Sequence, residues 1–313
     1  MESKFINPFT DYGFKLIFGR EVSKPILLHF LNCLLEGERH ITNLTFLDKE
    51  QVRLNNESRT LIYDVYCRTD DGEDFIVEMQ NRSHPNFRER TLFYAAESIS
   101  RQGEKGEEWQ YNVKAVYCIA FMNFTLPDES KFRIDVGLVD LDSEKKKGER
   151  LPLFTDKLRL IYLQLPLFAK KDWSECTTDF DRFILAITQI DILNRMPETA
   201  RNSVFARLAE IAEVASLTGE ERQKYDRSLK QYRDYQMFIT QAHSEGKEEG
   251  RIEGKEEGRI EGKEEGLIEG EAKGINKRNA YFVGQLKANG LSVEEISKLI
   301  GMSPDEVSKY YYD

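Results

Sequence analysis

The chain is poor in the residues that most directly announce a metal cage, a disulfide framework or a membrane span. Among 313 residues there are four cysteines, Cys33, Cys67, Cys118 and Cys176, and no two of them form a Cys-x-x-Cys pair. Scattered in this way they read as reduced thiols of a cytosolic protein, with neither a zinc site nor a set of disulfides. The four histidines, His29, His40, His84 and His243, are equally dispersed, which argues against a histidine-ligated metal. No run approaches the ~18 uninterrupted apolar residues of a membrane-spanning helix. Met1 to Phe9 lacks the apolar segment and small-residue cleavage site of a secretory signal, so a cytoplasmic location is expected. Positive charge is also in deficit: 45 Lys+Arg stand against 55 Asp+Glu, a net charge of −10. That excludes a protein that coats nucleic acid with its whole surface, although a local basic patch can still bind phosphate.

What is present begins with a repeat. Residues 245–268 hold one octad three times, Glu-Gly-Lys-Glu-Glu-Gly-Arg-Ile twice and then Glu-Gly-Lys-Glu-Glu-Gly-Leu-Ile, with a decayed fourth copy over 269–276. An octad advances about 80° beyond two helical turns, so Ile252, Ile260 and Ile268 spiral instead of forming a seam. Two glycines per octad cost ~2 kcal/mol of helix propensity relative to alanine. Such a segment cannot bury a core, and a spacer, helical or coiled, is expected. It divides the chain into a core at 1–170, a helical extension at 171–244, the spacer at 245–275 and a short tail at 276–313. In the tail, Ser292-Val293-Glu294-Glu295 and Ser303-Pro304-Asp305-Glu306 are capping boxes. Ile296, Leu299 and Ile300 are expected to face inward from the first tail helix, and Val307 and Tyr310 from the second. The pair resembles a helix-turn-helix unit, with Lys298 and Lys309 as candidate DNA contacts; a hairpin for self-association is the alternative.

The core mixes helix and strand. Thr10 caps a helix with Phe14, Ile17 and Phe18 on one face, and Ser23 with Pro25 restarts it toward Gly37. Strands are expected at Asn43–Leu47, Thr60–Arg68 and Asp74–Gln80, a helix over Asn86–Gln102, and a strand over Val113–Phe121. Further strands are expected over Phe132–Asp140 and Leu158–Leu165. Asp179–Leu193 and Ala200–Leu217 read as amphipathic helices, and Gly219–His243 as a charged one.

The chemistry concentrates in the second and third strands. Asp64 interrupts an apolar and aromatic run, where an unpaired carboxylate is costly. Alternation puts Glu78 and Gln80 on one face and Phe75, Val77 and Met79 on the other. A two-residue Asp71-Gly72 turn pairs Asp64 with Met79. A three-residue loop, Asp70-Asp71-Gly72 with Gly72 left-handed, sets Asp64 opposite Glu78. The second is preferred, because facing carboxylates are destabilising unless a cation sits between them, and Mg²⁺ is held by one or two carboxylates with waters and phosphate oxygens.

Asp64 followed across a hairpin by Glu78-Met79-Gln80, within helix, three strands, helix, strand, resembles the PD-(D/E)XK nuclease core. The segment Asn7-Pro8-Phe9-Thr10-Asp11-Tyr12-Gly13-Phe14-Lys15-Leu16-Ile17-Phe18 is similar to the start of the transposase-like branch, which includes recombination-promoting nucleases of bacteria. The resemblance spans roughly 4–170. It implies an α/β fold, a mixed sheet flanked by helices, here with a helical C-terminal extension. It implies Mg²⁺-dependent DNA endonuclease activity, with Mn²⁺ as a possible substitute, and DNA as partner. Asp64 and Glu78 are the implied metal ligands and, with Gln80 and Asp11, the implied catalytic residues. Gln80 stands where the family's lysine is expected; it can position a water but carries no charge. Asp11 or Lys15 completes the site if the first helix packs beside the hairpin. Lys15, Arg82, Arg88 and Arg90 are candidate phosphate contacts, Arg90 and Tyr94 lying one turn apart. Gln80 also leaves open a catalytically weak, DNA-binding or regulatory protein, and the tail a homo-oligomer.

Overall fold

The computed structural model describes residues 3–48, 50–51, 61–103, 110–142, 151–198 and 203–312, in two compact units, 1–235 and 236–313. In the first, helix α1 (Asp11–Phe18) begins where Thr10 Oγ1 accepts from the Gly13 N–H at 3.0 Å. Gly13 is required: a Cβ there would stand 2.2 Å from the Asn7 carbonyl oxygen and 2.5 Å from Thr10 Oγ1. A short 3₁₀ turn leads into α2 (Lys24–Leu34), with Pro25 in its first turn.

A six-stranded mixed sheet has the order β1-β4-β5-β6-β8-β7. Its strands are β1 (Leu44–Phe46), β4 (Val65–Thr69), β5 (Asp74–Gln80), β6 (Val116–Met122), β7 (Arg133–Val139) and β8 (Leu153–Gln164). Two short strands, β2 (Glu50–Gln51) and β3 (Leu61–Ile62), pair separately. The β4–β5 hairpin is antiparallel, while β5, β6 and β8 run parallel, joined from β5 to β6 through helix α3 (Phe87–Ser100). Every residue of β6 is buried, as expected of a strand covered on both faces.

The two faces have different covers. Phe75, Val77, Met79, Ile119, Phe121 and Leu163 meet α1, α2, α4 (Asp179–Thr188) and α5 (Val204–Ala212). Ile76, Cys118, Ala120, Met122 and Tyr162 meet α3 through Phe87 and Ala95. Phe14, Phe18 and Phe30 surround Phe121 with ring centroids 5.5, 5.6 and 5.1 Å away, seating α1 on the sheet. Phe183, Phe205 and Tyr225 join the same core, so the helices expected as an extension after residue 170 pack with α1 and α2. The expected helix over Asp179–Leu193 ends at Thr188 and continues as a 3₁₀ turn, Ile190–Arg195. The four cysteines are free.

Helix α6 (Gly219–Ala288) takes in the whole octad repeat and runs well past the expected end at His243. In the second unit, its end packs with α7 (Val293–Ile300) and α8 (Pro304–Tyr311) around Val283, Ile296 and Val307. Both capping boxes form, and Gly301 closes α7 at φ 72°. Leu299 corrects the expected inward set: it is 64% exposed, because Ile296 and Ile300, one turn apart, already occupy the inner face. Among the described residues, no helix is long and apolar enough to cross a membrane.

Candidate active site

The hairpin turn sets the geometry. Gly72 adopts φ +84°, and the Thr69 N–H donates to the Glu73 carbonyl at 2.9 Å, closing the three-residue loop Asp70-Asp71-Gly72. From there the register runs Arg68 to Asp74, Cys67 to Phe75, Tyr66 to Ile76 and Val65 to Val77. One further step brings Asp64 level with Glu78.

At that point the backbone departs from the continuous strand expected over Thr60–Arg68, of which Thr60 lies outside the described residues. Residues 63–64 bend between β3 and β4. The cause is packing: Tyr63 and Tyr66, three apart, both join the core under α3, which strict two-residue alternation does not permit. The bend frees the Asp64 N–H to donate to Glu78 Oε1 at 3.2 Å, while Asp64 Oδ2 accepts from the Met79 N–H at 2.9 Å. The two acids therefore hold each other through backbone and side chain.

Glu78 is only 5% exposed. Desolvation, reinforced by the Asp64 charge, pushes its carboxyl well above the ordinary carboxylate range. Asp64 is raised as well, by desolvation, against the opposing pull of the Met79 N–H and the Lys15 charge. Asp74, two positions before Ile76 on the same face, shows the contrast. It is fully buried, yet Arg68 grips it through Nε at 2.6 Å and Nη2 at 3.0 Å, and Tyr66 and Ser98 add hydroxyl bonds. Asp74 is a closed structural ion pair with Arg68; among the described residues, Glu78 has no such direct cation.

Cations approach the acid pair from both helices. Lys15 Nζ on α1 lies 3.5 Å from Asp64 Oδ1 and 2.6 Å from Asp11 Oδ1. Burial works against its charge, but the Asp11 hydrogen bond and the Asp64 field more than offset it, and its pKa is raised. Asp11 itself lies on the solvent side, with its side chain 63% exposed; it bonds Lys15, and its charge adds to the upward push on Asp64. From α3, Arg90 Nη2 donates to Gln80 Oε1, and Gln80 Nε2 donates to Glu78 Oε2 at 2.8 Å. Arginine has only donors, so this contact fixes the Gln80 amide with its oxygen toward Arg90. The Gln80 amide is thus held from both sides, with one N–H and one oxygen lone pair left over. Arg90 Nε is buried without a hydrogen-bond partner. Tyr94, half-buried, has its hydroxyl pKa raised by burial and then by the Glu78 charge, and its ring meets Tyr63 edge-on with centroids 5.4 Å apart.

Arg82 is exposed, its guanidinium 4.3 Å over the Tyr235 ring, and Arg88 is exposed on the first turn of α3. Lys298 and Lys309 are exposed on α7 and α8 of the second unit. Sequence reasoning missed Asn81, whose Nδ2 donates to the Phe9 carbonyl at 2.6 Å and ties the end of β5 to the segment before α1. Asn123 in turn donates through Nδ2 to Asn81 Oδ1 at 3.2 Å. No pattern within either segment signals these links.

Among the described residues, no group of three or more His, Cys, Asp or Glu forms a ready cage for a metal. Two facing carboxylates, one deeply buried, nevertheless offer the hard oxygen donors and local negative charge that suit a Mg²⁺-like cation completed by water and phosphate. Comparison with curated proteins and with solved structures found no match. A family model described as PD-(D/E)XK nuclease family transposase matches residues 8–242, a span that takes in α1, the acid pair and the helices sharing their core. The chain is a member of that family.

Proposed function

We propose that the protein is a divalent-cation-dependent DNA endonuclease whose cation is held by Asp64 and Glu78. The observation that carries this reading is the acid pair itself: Glu78 is 5% exposed, faces Asp64 and lacks the direct cation that neutralises Asp74. A cation bound there supplies an acidified water and offsets charge at the scissile phosphate. Mg²⁺ is the natural occupant, with Mn²⁺ as a substitute.

The chain's own residues then have distinct tasks. The Met79 N–H holds Asp64, and Gln80, fixed by Arg90, holds Glu78. Arg82, Arg88 and Lys15 supply local positive charge for the DNA backbone on a chain whose net charge is −10. Asp11 acts indirectly, by orienting Lys15. Lys298 and Lys309 are proposed as further backbone contacts from the tail, which is also the segment suited to self-association.

The test is nicking of supercoiled plasmid by the purified full-length chain with Mg²⁺ or Mn²⁺, and with EDTA as control. Cleavage that requires the cation supports the reading. Gln80 in the lysine position favours a second reading, a binding protein with a degenerate site; retention of DNA with no cleavage under either cation is its signature and sinks the first.

A further inference from the structure

We propose that Lys15 is the catalytic cation of this site, the charged group that contacts the reacting phosphate in place of a lysine at position 80. The inference rests on the nuclease reading above and adds to it the residue that carries the missing charge. Three observations support it. Gln80 is neutral, and its amide is engaged by Arg90 on one side and Glu78 on the other. Arg90 reaches Glu78 only through that amide, so its guanidinium is spent in part on holding Gln80. Lys15 Nζ, by contrast, stands 3.5 Å from Asp64 Oδ1 with no residue between, and its side chain is 25% exposed, so it is open to an incoming anion.

Its placement follows from packing. Phe14, Ile17 and Phe18 bind α1 to the sheet, and Lys15, adjacent to Phe14, falls on the flank nearest Asp64. Asp11, one turn earlier, accepts from Nζ at 2.6 Å and holds the ammonium in place when Asp64 turns to a metal. In the hydrolysis one water is consumed: its oxygen bonds to phosphorus, the bond from phosphorus to one sugar oxygen breaks, and the water's proton ends on that leaving oxygen. Negative charge builds on the phosphoryl oxygens between these events, and an ammonium beside Asp64 is placed to offset it.

Three roles for Lys15 separate experimentally in the full-length chain. As catalytic cation, Lys15→Met lowers kcat roughly 10²-fold, a typical loss for one stabilising donor. It leaves KM for DNA near the wild-type value, and Lys15→Arg recovers part of the rate. Mg²⁺ affinity, read by calorimetry without DNA, stays equal or tightens, because a competing positive charge beside Asp64 is gone. A rise in KM with kcat unchanged overturns the proposal in favour of a simple phosphate contact. Weaker Mg²⁺ binding in parallel with the lost rate overturns it in favour of a residue that only orders Asp64. An active wild type matched by Lys15→Met overturns this inference alone, whereas a wild type inactive with both cations overturns the nuclease reading and this inference with it.

Discussion

Glu78 experiences two opposing demands. To hold a cation it must be ionised, yet it is 5% exposed and faces Asp64, so desolvation and then the neighbouring charge raise its pKa. The native state thus retains a proton that the unfolded chain gives up at neutral pH. The stability associated with Glu78 is fully present below the ordinary glutamate pKa and is lost as pH rises through the higher folded value. Glu78→Gln removes this dependence and keeps the side chain's length, although its single amide oxygen can serve only one of the two donors that Glu78 accepts from, the Asp64 N–H and Gln80 Nε2. Without divalent cation, the stability of the variant relative to wild type should rise by about 1–3 kcal/mol between pH 5 and pH 8, because the lost acceptor weighs equally at both values and only the titration differs. Mg²⁺ should raise the wild-type melting temperature and leave that of the variant unmoved. Melting curves at both pH values, with and without Mg²⁺, check this; a difference between variant and wild type that is the same at pH 5 and pH 8 contradicts the strain assigned to the acid pair.

The element with most influence on the site is α1. Its cap, its glycine and its aromatic face act together: Thr10 closes the first turn, Gly13 lets the Asn7 carbonyl pass within contact, and Phe14 and Phe18 lock onto Phe121. Gly13→Ala should destabilise the fold by about 1–3 kcal/mol through overpacking against backbone that has no rotamer to change. It should also reduce activity by displacing Lys15 from Asp64. Gly250→Ala is the control, since a Cβ there meets nothing within 4 Å and gains helix propensity. A Gly13→Ala chain that melts and cleaves like wild type would show that the close approach is dispensable.

The legible and illegible parts of the site divide along the same line between local and distant structure. The hairpin register could be read because Asp70-Asp71-Gly72 is a local turn and one glycine decides it. The cap at Thr10 and the capping boxes at Ser292 and Ser303 were legible for the same reason. The bend at Tyr63–Asp64 was not, since it depends on where two tyrosines find room under α3. Nor was the Arg90–Gln80–Glu78 chain, which depends on the distance between a helix and a strand end. The packing of α4 and α5 with α2 was hidden likewise: amphipathic helices announce an apolar face but not its partner.

For the whole chain, the octad repeat is proposed as a tether between the nuclease core and the terminal helices. Its residues lie within α6 and are exposed, and its glycines face open space. A tether raises the effective concentration of the core at a site the tail has bound. Deleting one octad should leave the melting temperature of the core and its cation-dependent chemistry almost unchanged. Removing residues 276–313, which carry the small core of Val283, Ile296 and Val307, should weaken DNA association or assembly. A large fall in core melting temperature on loss of a single octad would show instead that the repeat packs on the core.

The most direct test compares wild type with Asp64→Asn in the plasmid-nicking assay, the two chains first matched by melting temperature. The substitution keeps size and one oxygen to accept from the Met79 N–H, and it removes one negative charge from the pair. The expected result is cation-dependent nicking by wild type, abolished by EDTA and reduced at least ~10²-fold in Asp64→Asn, in line with the loss of a group that stabilises the transition state. Equal nicking by the two chains would contradict the assignment of Asp64 and Glu78 as the cation-holding pair.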